Sequence, residues 1–244
     1  SFGIVGVVYS IILVLLLHEK REVRMPVKQI RNAGKILDSV KNSLGMLLGM
    51  VSFWVILFYF AVPSLPGWAV KNWMPTLFSD TLGMDMSKAG PLCTITIAFS
   101  SLIGVIAGGI IADRWITRNL RGRIYTGAIG LSLTIPALML VGNTGSMTGI
   151  MAGGILFGAG FGMFDSNNMP ILCQFVSPAH RAAGYGLMNL TGVFAGALVT
   201  GWLGKSTDAG HLGRDMALLA IPVAAAVVLL LVTLKPAVAD KTSD

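Results

Sequence analysis

Long apolar stretches separated by short polar segments dominate this sequence. A helix needs about 20 mostly apolar residues to cross the roughly 30 Å hydrocarbon core of a membrane. Six stretches meet this requirement, namely residues 44–66, 89–112, 124–142, 148–175, 183–203 and 214–234. The pattern therefore predicts an all-α membrane protein with six complete transmembrane helices. The composition agrees, because only 12% of the residues are charged, compared with about a quarter in a soluble domain.

A seventh, slightly short apolar stretch opens the sequence. It has neither an initiator Met nor a basic n-region, so we interpret it as the end of a truncated transmembrane helix rather than as a signal peptide. The polar segment after it is expected to include an amphipathic helix near Lys28 to Val40 that lies on the membrane surface. The predicted organisation is a truncated helix, a basic linker, a six-helix bundle and a polar tail, at residues 1–17, 18–43, 44–235 and 236–244.

The basic residues are distributed unevenly between the two sides of the predicted bundle. Threading the chain through a membrane places 14 of the 18 Lys and Arg residues on one side and four on the other. The positive-inside rule assigns the richer side, with linker 18–43 and the C-terminus, to the cytoplasm of a bacterial inner membrane. The net charge of +7 is thus explained by orientation and lipid headgroups, without nucleic acid. The four residues of the other side are Lys71, Lys88, Lys205 and Arg214.

The sequence contains no common signature of a cofactor, a metal site or ATP binding. Cys93 and Cys173 lie singly within predicted spans, and the three His residues are scattered at span ends. No GxxxxGK[ST] motif is present. We therefore expect no cofactor. A membrane enzyme is disfavoured as well, because it would need a convergent nucleophile, base or metal cluster.

Glycines recur at four-residue spacing within the spans. This spacing lines one helix face with small side chains and lets a neighbouring backbone approach closely. We interpret these glycines as packing positions between helices that move against one another, rather than as ligand contacts. They are Gly45 and Gly49, Gly104 and Gly108, Gly154, Gly158 and Gly162, and Gly192 and Gly196.

Asp165 is the only acidic residue well inside a predicted span. A carboxylate at such depth is costly unless it is protonated, paired or hydrated, so it normally faces a cavity or a partner. Asn168 shares its helical face, and Pro170 leaves the Ser166 carbonyl without its helical donor. We predict that Asp165 binds the coupling ion, a proton or sodium, with Asn168 contributing to substrate binding. The alternative is a structural hydrogen bond from Asp165 to a neighbouring helix or to Arg181.

A second group of candidate residues follows the first predicted span. Pro63, Pro66 and Gly67 predict a break or bend there, as is typical of a helix that gates a cavity. Aromatic rings can stack on a sugar, and Lys71 can attract an anion, although snorkelling to the outer headgroups is its alternative. Trp68 and Trp73 are interpreted as interfacial residues. Together with Asn168, the predicted substrate-binding residues are Trp54, Tyr59, Lys71, Asn72 and Asn189.

One loop carries the most specific signal. Gly109-Ile110-Ile111-Ala112-Asp113-Arg114, followed by Arg118, Arg121 and Arg123, resembles the cytoplasmic loop motif of the major facilitator superfamily. The resemblance implies the C-terminal half of a twelve-helix transporter, from the end of helix 6 through helix 12, whose partner is an N-terminal six-helix half. A charge cluster at these helix ends can also hold a gate closed. The predicted cytoplasmic gate consists of Asp113, Arg114, Arg118 and Arg181.

A finer resemblance concerns the substrate. The segments Asn72-Trp73-Met74-Pro75-Thr76-Leu77 and Pro178-Ala179-His180-Arg181 are similar to the anion:cation symporter branch of that superfamily, which carries organic anions, including sugar acids, with protons or sodium. The resemblance implies a secondary active transporter of a small polar metabolite, with a sugar acid as the first candidate. The alternatives are a channel, a structural membrane subunit, or a transporter of neutral sugars or drugs. A channel would need a continuous polar stripe on several helices.

Overall fold

The computed structural model describes residues 33–234, which are almost entirely helical. The truncated helix predicted at residues 1–17 and the tail predicted at 236–244 lie outside the described residues. The chain divides into two compact units, residues 1–41 and 42–244, and the account below concerns the second unit. The helices are α1 (Ala33–Leu48), α2 (Val51–Leu82), α3 (Met86–Ile116), α4 (Gly122–Asn143), α5 (Met147–Phe175), α6 (Arg181–Asp208), α7 (Leu212–Leu218) and α8 (Ala220–Thr233).

Among residues 33–234, six segments are long and apolar enough to cross a membrane, which is the number of complete spans predicted from the sequence. Helices α2 to α5 each form one segment, α6 forms one with the short 3₁₀ turn before it, and α7 and α8 together form the last. The final predicted span is therefore divided at Leu219, where α7 ends and α8 begins. The helix predicted near residues 28–40 instead occupies Ala33–Leu48 among the described residues.

The first transmembrane helix differs from the prediction at both ends. Residues 44–48 complete α1 and do not belong to the span, whereas α2 continues 16 residues beyond the predicted end, to Leu82. Pro63 and Pro66 lie inside α2 without interrupting it, so the predicted break does not occur. Each proline removes one backbone donor, and neighbouring groups in a membrane bundle compensate for that loss. This extension changes the depth of every candidate residue after Pro66.

The packing places α2, α4 and α5 in the middle of the bundle, where they are the most buried spans. Helices α3 and α4 both pack on α5, α6 packs on α2, and α8 packs on α4 and α2. Lys71 of α2 adjoins α3, while the next residue, Asn72, adjoins α6. Helices α3 and α6 therefore lie on either side of α2, and they are the most exposed of the spans.

One end of the bundle, here called the arginine end, contains the α3–α4 and α5–α6 connections. The Gln174 amide of α5 donates to the Leu120 carbonyl in the α3–α4 connection at 2.9 Å. His180, in the α5–α6 connection, forms a 2.8 Å hydrogen bond with Ser43 of α1. These contacts place the end of α1 beside the loops that carry most of the bundle's arginines.

Glycines form the contact between α3 and α5, as the four-residue spacing predicts. Gly104 and Gly108 of α3 face the backbone at Ala159 and Met163, and Gly162 of α5 faces the Ser101 carbonyl. A methyl group added at Gly104 would lie 2.8 Å from the carbonyl carbon of Ala159. The two backbones are therefore too close to admit a side chain.

Substituting Gly104 by alanine is expected to lower the thermal stability of the bundle, because the new Cβ meets rigid backbone rather than a flexible side chain. Overpacking of this kind costs roughly 1–3 kcal/mol. Gly109→Ala is the matched control, since a Cβ at Gly109 on the same helix meets nothing within 4 Å. Equal melting temperatures for the two purified variants in detergent would contradict this account of the α3–α5 contact.

Candidate functional site

Lys71 lies deep within α2. It comes 20 residues after Val51 and 11 before Leu82, which corresponds to about 30 Å and 17 Å along a helix that rises 1.5 Å per residue. A hydrocarbon layer of about 30 Å centred on a helix of this length includes Lys71. Trp68 lies one turn earlier, nearer the middle of α2. The longer helix therefore extends well past both residues, and their interfacial placement stays a prediction.

The ammonium group of Lys71 is exposed beside a cavity of about 290 Å³ between α2 and α3. The Nζ atom lies 6.0 Å from the ring centre of Trp68 and 5.9 Å from that of Phe161. Two aromatic faces at these distances stabilise a cation without neutralising it. The cavity is lined by Lys71, Cys93, Thr94, Ile97, Ala98 and Ser101.

A second cavity, of about 280 Å³, lies on the α6 side of α2. Asn72 lines it and donates from Nδ2 to the Thr200 hydroxyl at 3.2 Å, with Trp68 beside them. Trp68 faces Gly196, whose missing side chain leaves room for the indole ring. Trp68 and Asn72 thus link the Lys71 region to α6.

Asp165 lies on α5, one helical turn from Phe161 on the same face. It comes 18 residues after Met147 and 10 before Phe175, so it also falls within the hydrocarbon layer. Its side chain is exposed, and its Oδ1 accepts a hydrogen bond from Asn168 at 3.2 Å. We call the surface formed by Trp68, Lys71, Asn72, Phe161 and Asp165 the open face.

The open face carries a separated pair of opposite charges. The described residues contain two ion pairs, Asp113 with Arg123 and Asp215 with Arg214, so Lys71 and Asp165 form none there. Unpaired charges in a membrane span are costly and normally face a water-filled cavity or a partner. The arrangement can therefore attract an anion at Lys71 and take up a cation or proton at Asp165.

The remaining predicted substrate-binding residues are not part of the open face, although Asn168 contacts Asp165 from the protein interior. Trp54 is near the start of α2, where its indole donates to the Leu48 carbonyl. Tyr59 is buried with its ring 5.2 Å from that of Phe164, and Asn168 is buried beside Asp165. Asn189 is exposed on α6 and bonds the Tyr185 carbonyl of its own helix.

The sequence analysis did not assign three residues of this region to the site. Trp68 was interpreted as interfacial, Phe161 received no role, and Thr200 was not considered. The Phe161 ring fits against Gly67, where a Cβ would lie 2.8 Å from it. The contact pairs a glycine on one helix with a large aromatic residue on another. A single sequence does not show which helices are neighbours, so it gave no signal for this pairing.

The predicted gate residues separate into two groups at the arginine end. Asp113 of α3 pairs with Arg123 of α4 at 2.8 Å, and Arg114 and Arg118 are exposed nearby. Arg181 instead donates to the Val176 and Cys173 carbonyls, both at 3.1 Å. These carbonyls end α5 and have no helical donor of their own, so Arg181 caps that helix.

Arg121 adds a further contact at the arginine end. Its guanidinium donates to the Leu231 carbonyl of α8 and lies 5.2 Å from the ring centre of Tyr125. It thereby joins the α3–α4 connection to the end of the last span. The sequence analysis had placed Arg121 in the loop motif without assigning it a contact.

A third cavity lies at the opposite end of the bundle from the arginine end. It measures about 480 Å³ and is open to the surface between the ends of α2, α4 and α6. Asp80, His211 and Arg214 are among its lining residues. No residue of the open face lines it, and we place the candidate site at the open face because Lys71 and Asp165 are there.

Comparison with known proteins identifies relatives of this fold. A mutant of the peptide transporter POT in complex with sulfate superposes with a TM-score of 0.62 at 16% identity, over 75% of this chain and 37% of that chain. A bacterial homolog of the human lysosomal transporter Spinster, in an inward-facing and unoccupied conformation, gives 0.59 at 14% identity, over 92% and 56%. This chain thus spans less than two thirds of either structure. At these identities the likeness shows the fold.

The family comparison covers most of the sequence. No curated protein sequence matches the chain. The model of the Major Facilitator Superfamily matches residues 1–200, which confirms the resemblance of the loop motif and points to a transporter rather than an enzyme. With its six spans and its superposition on two transporters of known structure, the chain belongs to the Major Facilitator Superfamily.

Proposed function

We propose that this chain forms half of a secondary active transporter for a small organic anion, with a sugar acid as the first candidate. A second six-helix half would complete the substrate cavity, and alternating access would be driven by a proton or sodium gradient. Transporters with inverted repeats bind substrate near the membrane midplane, between parts that rock against each other. The depth of Lys71 and Asp165 supports a site of that kind on the open face.

The observation that carries the proposal is the unpaired Lys71 ammonium. It is deep in a span, exposed, and flanked by aromatic rings and by the hydroxyls of Thr94 and Ser101. An anion with several hydroxyl groups matches these features, since its carboxylate meets the ammonium and its hydroxyls meet polar side chains. A neutral sugar would leave the ammonium without a counter-charge.

Uptake by the intact transporter in proteoliposomes tests this function. We expect saturable accumulation of radiolabelled gluconate under an imposed proton or sodium gradient, and weak accumulation of glucose. Collapse of the gradient should leave only exchange. Linear, gradient-independent flux would indicate a channel instead, and accumulation of glucose in preference to gluconate would refute the assignment to organic anions.

The arginine end is proposed to face the cytoplasm, because the linker, the α3–α4 connection and the C-terminus hold most of the basic residues. A cysteine at Asn119, which is exposed in that connection, should react with a membrane-impermeant maleimide only after the cells are opened. Cys93 and Cys173 are first replaced to remove background labelling. Labelling of Asn119→Cys from outside intact cells would reverse the orientation.

The Asp113–Arg123 pair is proposed to hold the cytoplasmic gate, with Arg114 and Arg118 beside it. Asp113→Asn should slow transport several-fold without reducing insertion, because an exposed ion pair contributes only about 0–1 kcal/mol to stability. The exchanged pair, Asp113→Arg with Arg123→Asp, should recover part of the rate. Unchanged uptake kinetics in Asp113→Asn would reduce these charges to signals for membrane orientation.

A further inference from the structure

Asn168 is a buried side chain that touches the exposed carboxylate of the open face. Only 3% of its surface is exposed, and its Nδ2 donates to Asp165 Oδ1 at 3.2 Å. The two residues are three apart on α5, which brings their side chains together on one face. Asn168 therefore contacts the carboxylate from the protein interior, while the other side of Asp165 is open.

The neighbouring asparagine makes a useful comparison. Asn167 is also buried, and its Nδ2 donates to the Met163 carbonyl at 2.9 Å and to the Ser166 hydroxyl at 3.2 Å. Those partners belong to the preceding turn of α5, so this amide serves the local backbone. Asn168 has the same chemistry, is also buried, and shares with Asn167 an amide oxygen that has no partner among the described residues. The difference is that the Asn168 amide nitrogen donates to a titratable group, Asp165.

The oxygen of the Asn168 amide is buried and has no hydrogen-bond partner among the described residues. A buried polar atom without a partner is destabilising and calls for an explanation. An asparagine amide offers donors on one side and an acceptor on the other. Its terminal torsion has two-fold preferences, so a half turn exchanges the two sides. Because Oδ1 has no partner, such a turn would break only the bond to Asp165.

We propose that Asn168 positions the side chain of Asp165, the proposed coupling residue. Asn168 does so by forming a hydrogen bond with Asp165 in both its ionised and its protonated form. When Asp165 is ionised, Nδ2 donates to it and holds it toward the open face. When Asp165 carries a proton, the turned amide presents Oδ1, which accepts the hydrogen bond from the carboxyl hydroxyl. Asn168 itself neither gains nor loses a proton. This inference rests on the proposed function, and of the two coupling ions named there it selects the proton.

The first test compares two leucine variants of the intact transporter in proteoliposomes. Leucine has nearly the shape of asparagine but neither donates nor accepts. Asn168→Leu should lower gradient-driven accumulation of radiolabelled gluconate about tenfold relative to counterflow of the same compound, as expected for the loss of a hydrogen bond to a charged group. Asn167→Leu is the matched control and should leave that ratio unchanged. If Asn168→Leu is unstable, Asn168→Ser removes the amide while keeping a polar side chain.

Two results of the transport test would overturn the proposal. A purely structural role for Asn168 lowers accumulation and counterflow together, so an unchanged ratio contradicts positioning. An equal change of the ratio in the Asn167 variant would show that any buried amide at this turn has the same effect.

The second test needs no substrate. Infrared difference spectra of the purified protein between acid and alkaline pH report the carbonyl stretch of protonated carboxyl groups, and the band lost in Asp165→Asn belongs to Asp165. Asn168→Leu should shift that band to higher frequency, because the carboxyl loses its acceptor, and Asn167→Leu should not shift it. An unshifted band, or no band from Asp165 at any pH, refutes the proposal. If the native protein does not transport gluconate, the proposed substrate fails, while this spectrum still tests Asn168.

Discussion

Lys71→Gln is expected to reduce gluconate uptake by the intact transporter at least tenfold in kcat/KM, a loss of about 1.4 kcal/mol or more in transition-state stabilisation. Glutamine keeps a polar side chain of similar length but removes the charge that is proposed to bind the substrate carboxylate. An interaction between unit charges at 4 Å is worth about 4 kcal/mol at an effective dielectric constant of 20. Loss of most uptake is therefore the expected result.

Two further variants control the Lys71 measurement. Lys88→Gln removes the same charge from an exposed position at the start of α3 and should leave uptake within twofold of the native rate. Lys71→Arg keeps the charge and should retain part of the activity, although its planar guanidinium fits the two aromatic rings differently. Native uptake in Lys71→Gln would show that the ammonium only snorkels to a headgroup.

Asp165→Asn is expected to abolish gradient-driven accumulation while counterflow of the same substrate survives. The amide imitates a protonated carboxyl, so the transporter can still exchange substrate but no longer couples that exchange to an ion. The Asn168 donor keeps an oxygen acceptor at position 165, which favours a folded protein. Both activities are measured on one purified preparation in proteoliposomes.

Asp85→Asn provides the comparison for Asp165, since Asp85 is an exposed carboxylate in the turn between α2 and α3. It should accumulate substrate normally. A structural role for Asp165 predicts that accumulation and counterflow are lost together with stability. Normal uphill accumulation in Asp165→Asn would eliminate Asp165 as the coupling residue.

Periodicity and composition were sufficient for the number of spans but not for their ends. The first span was predicted at residues 44–66 because hydropathy falls at the prolines and at the polar residues after them. The helix continues through Pro63, Pro66 and Pro75 to Leu82, since packing against α3 and α6 stabilises it beyond the most apolar stretch. Trp68 and Lys71, which follow the predicted end of the span, therefore lie inside the helix, 14 and 11 residues before its last residue.

The candidate site was only partly visible in the sequence. Asp165 stands out because a carboxylate within an apolar helix is costly wherever that helix packs, and its contact with Asn168 follows from their spacing. Lys71 and Asn72 were recognised by residue type. The helix that each of them meets, α3 for Lys71 and α6 for Asn72, depends on the packing and could not be derived from local spacing. The same is true of the burial of Tyr59.

The sequence by itself determined the all-helical membrane class, the four-residue glycine faces and the superfamily, because these depend on apolar length, local periodicity and a short loop motif. The tertiary structure decided which polar residues share a surface. It brought the Phe161 ring of α5 to the Lys71 ammonium of α2, paired Asp113 with Arg123, and turned Arg181 toward the end of α5. Those contacts join different helices or helix ends at sequence separations of 5 to 90 positions. Their geometry is therefore set by how the helices pack and not by any one segment.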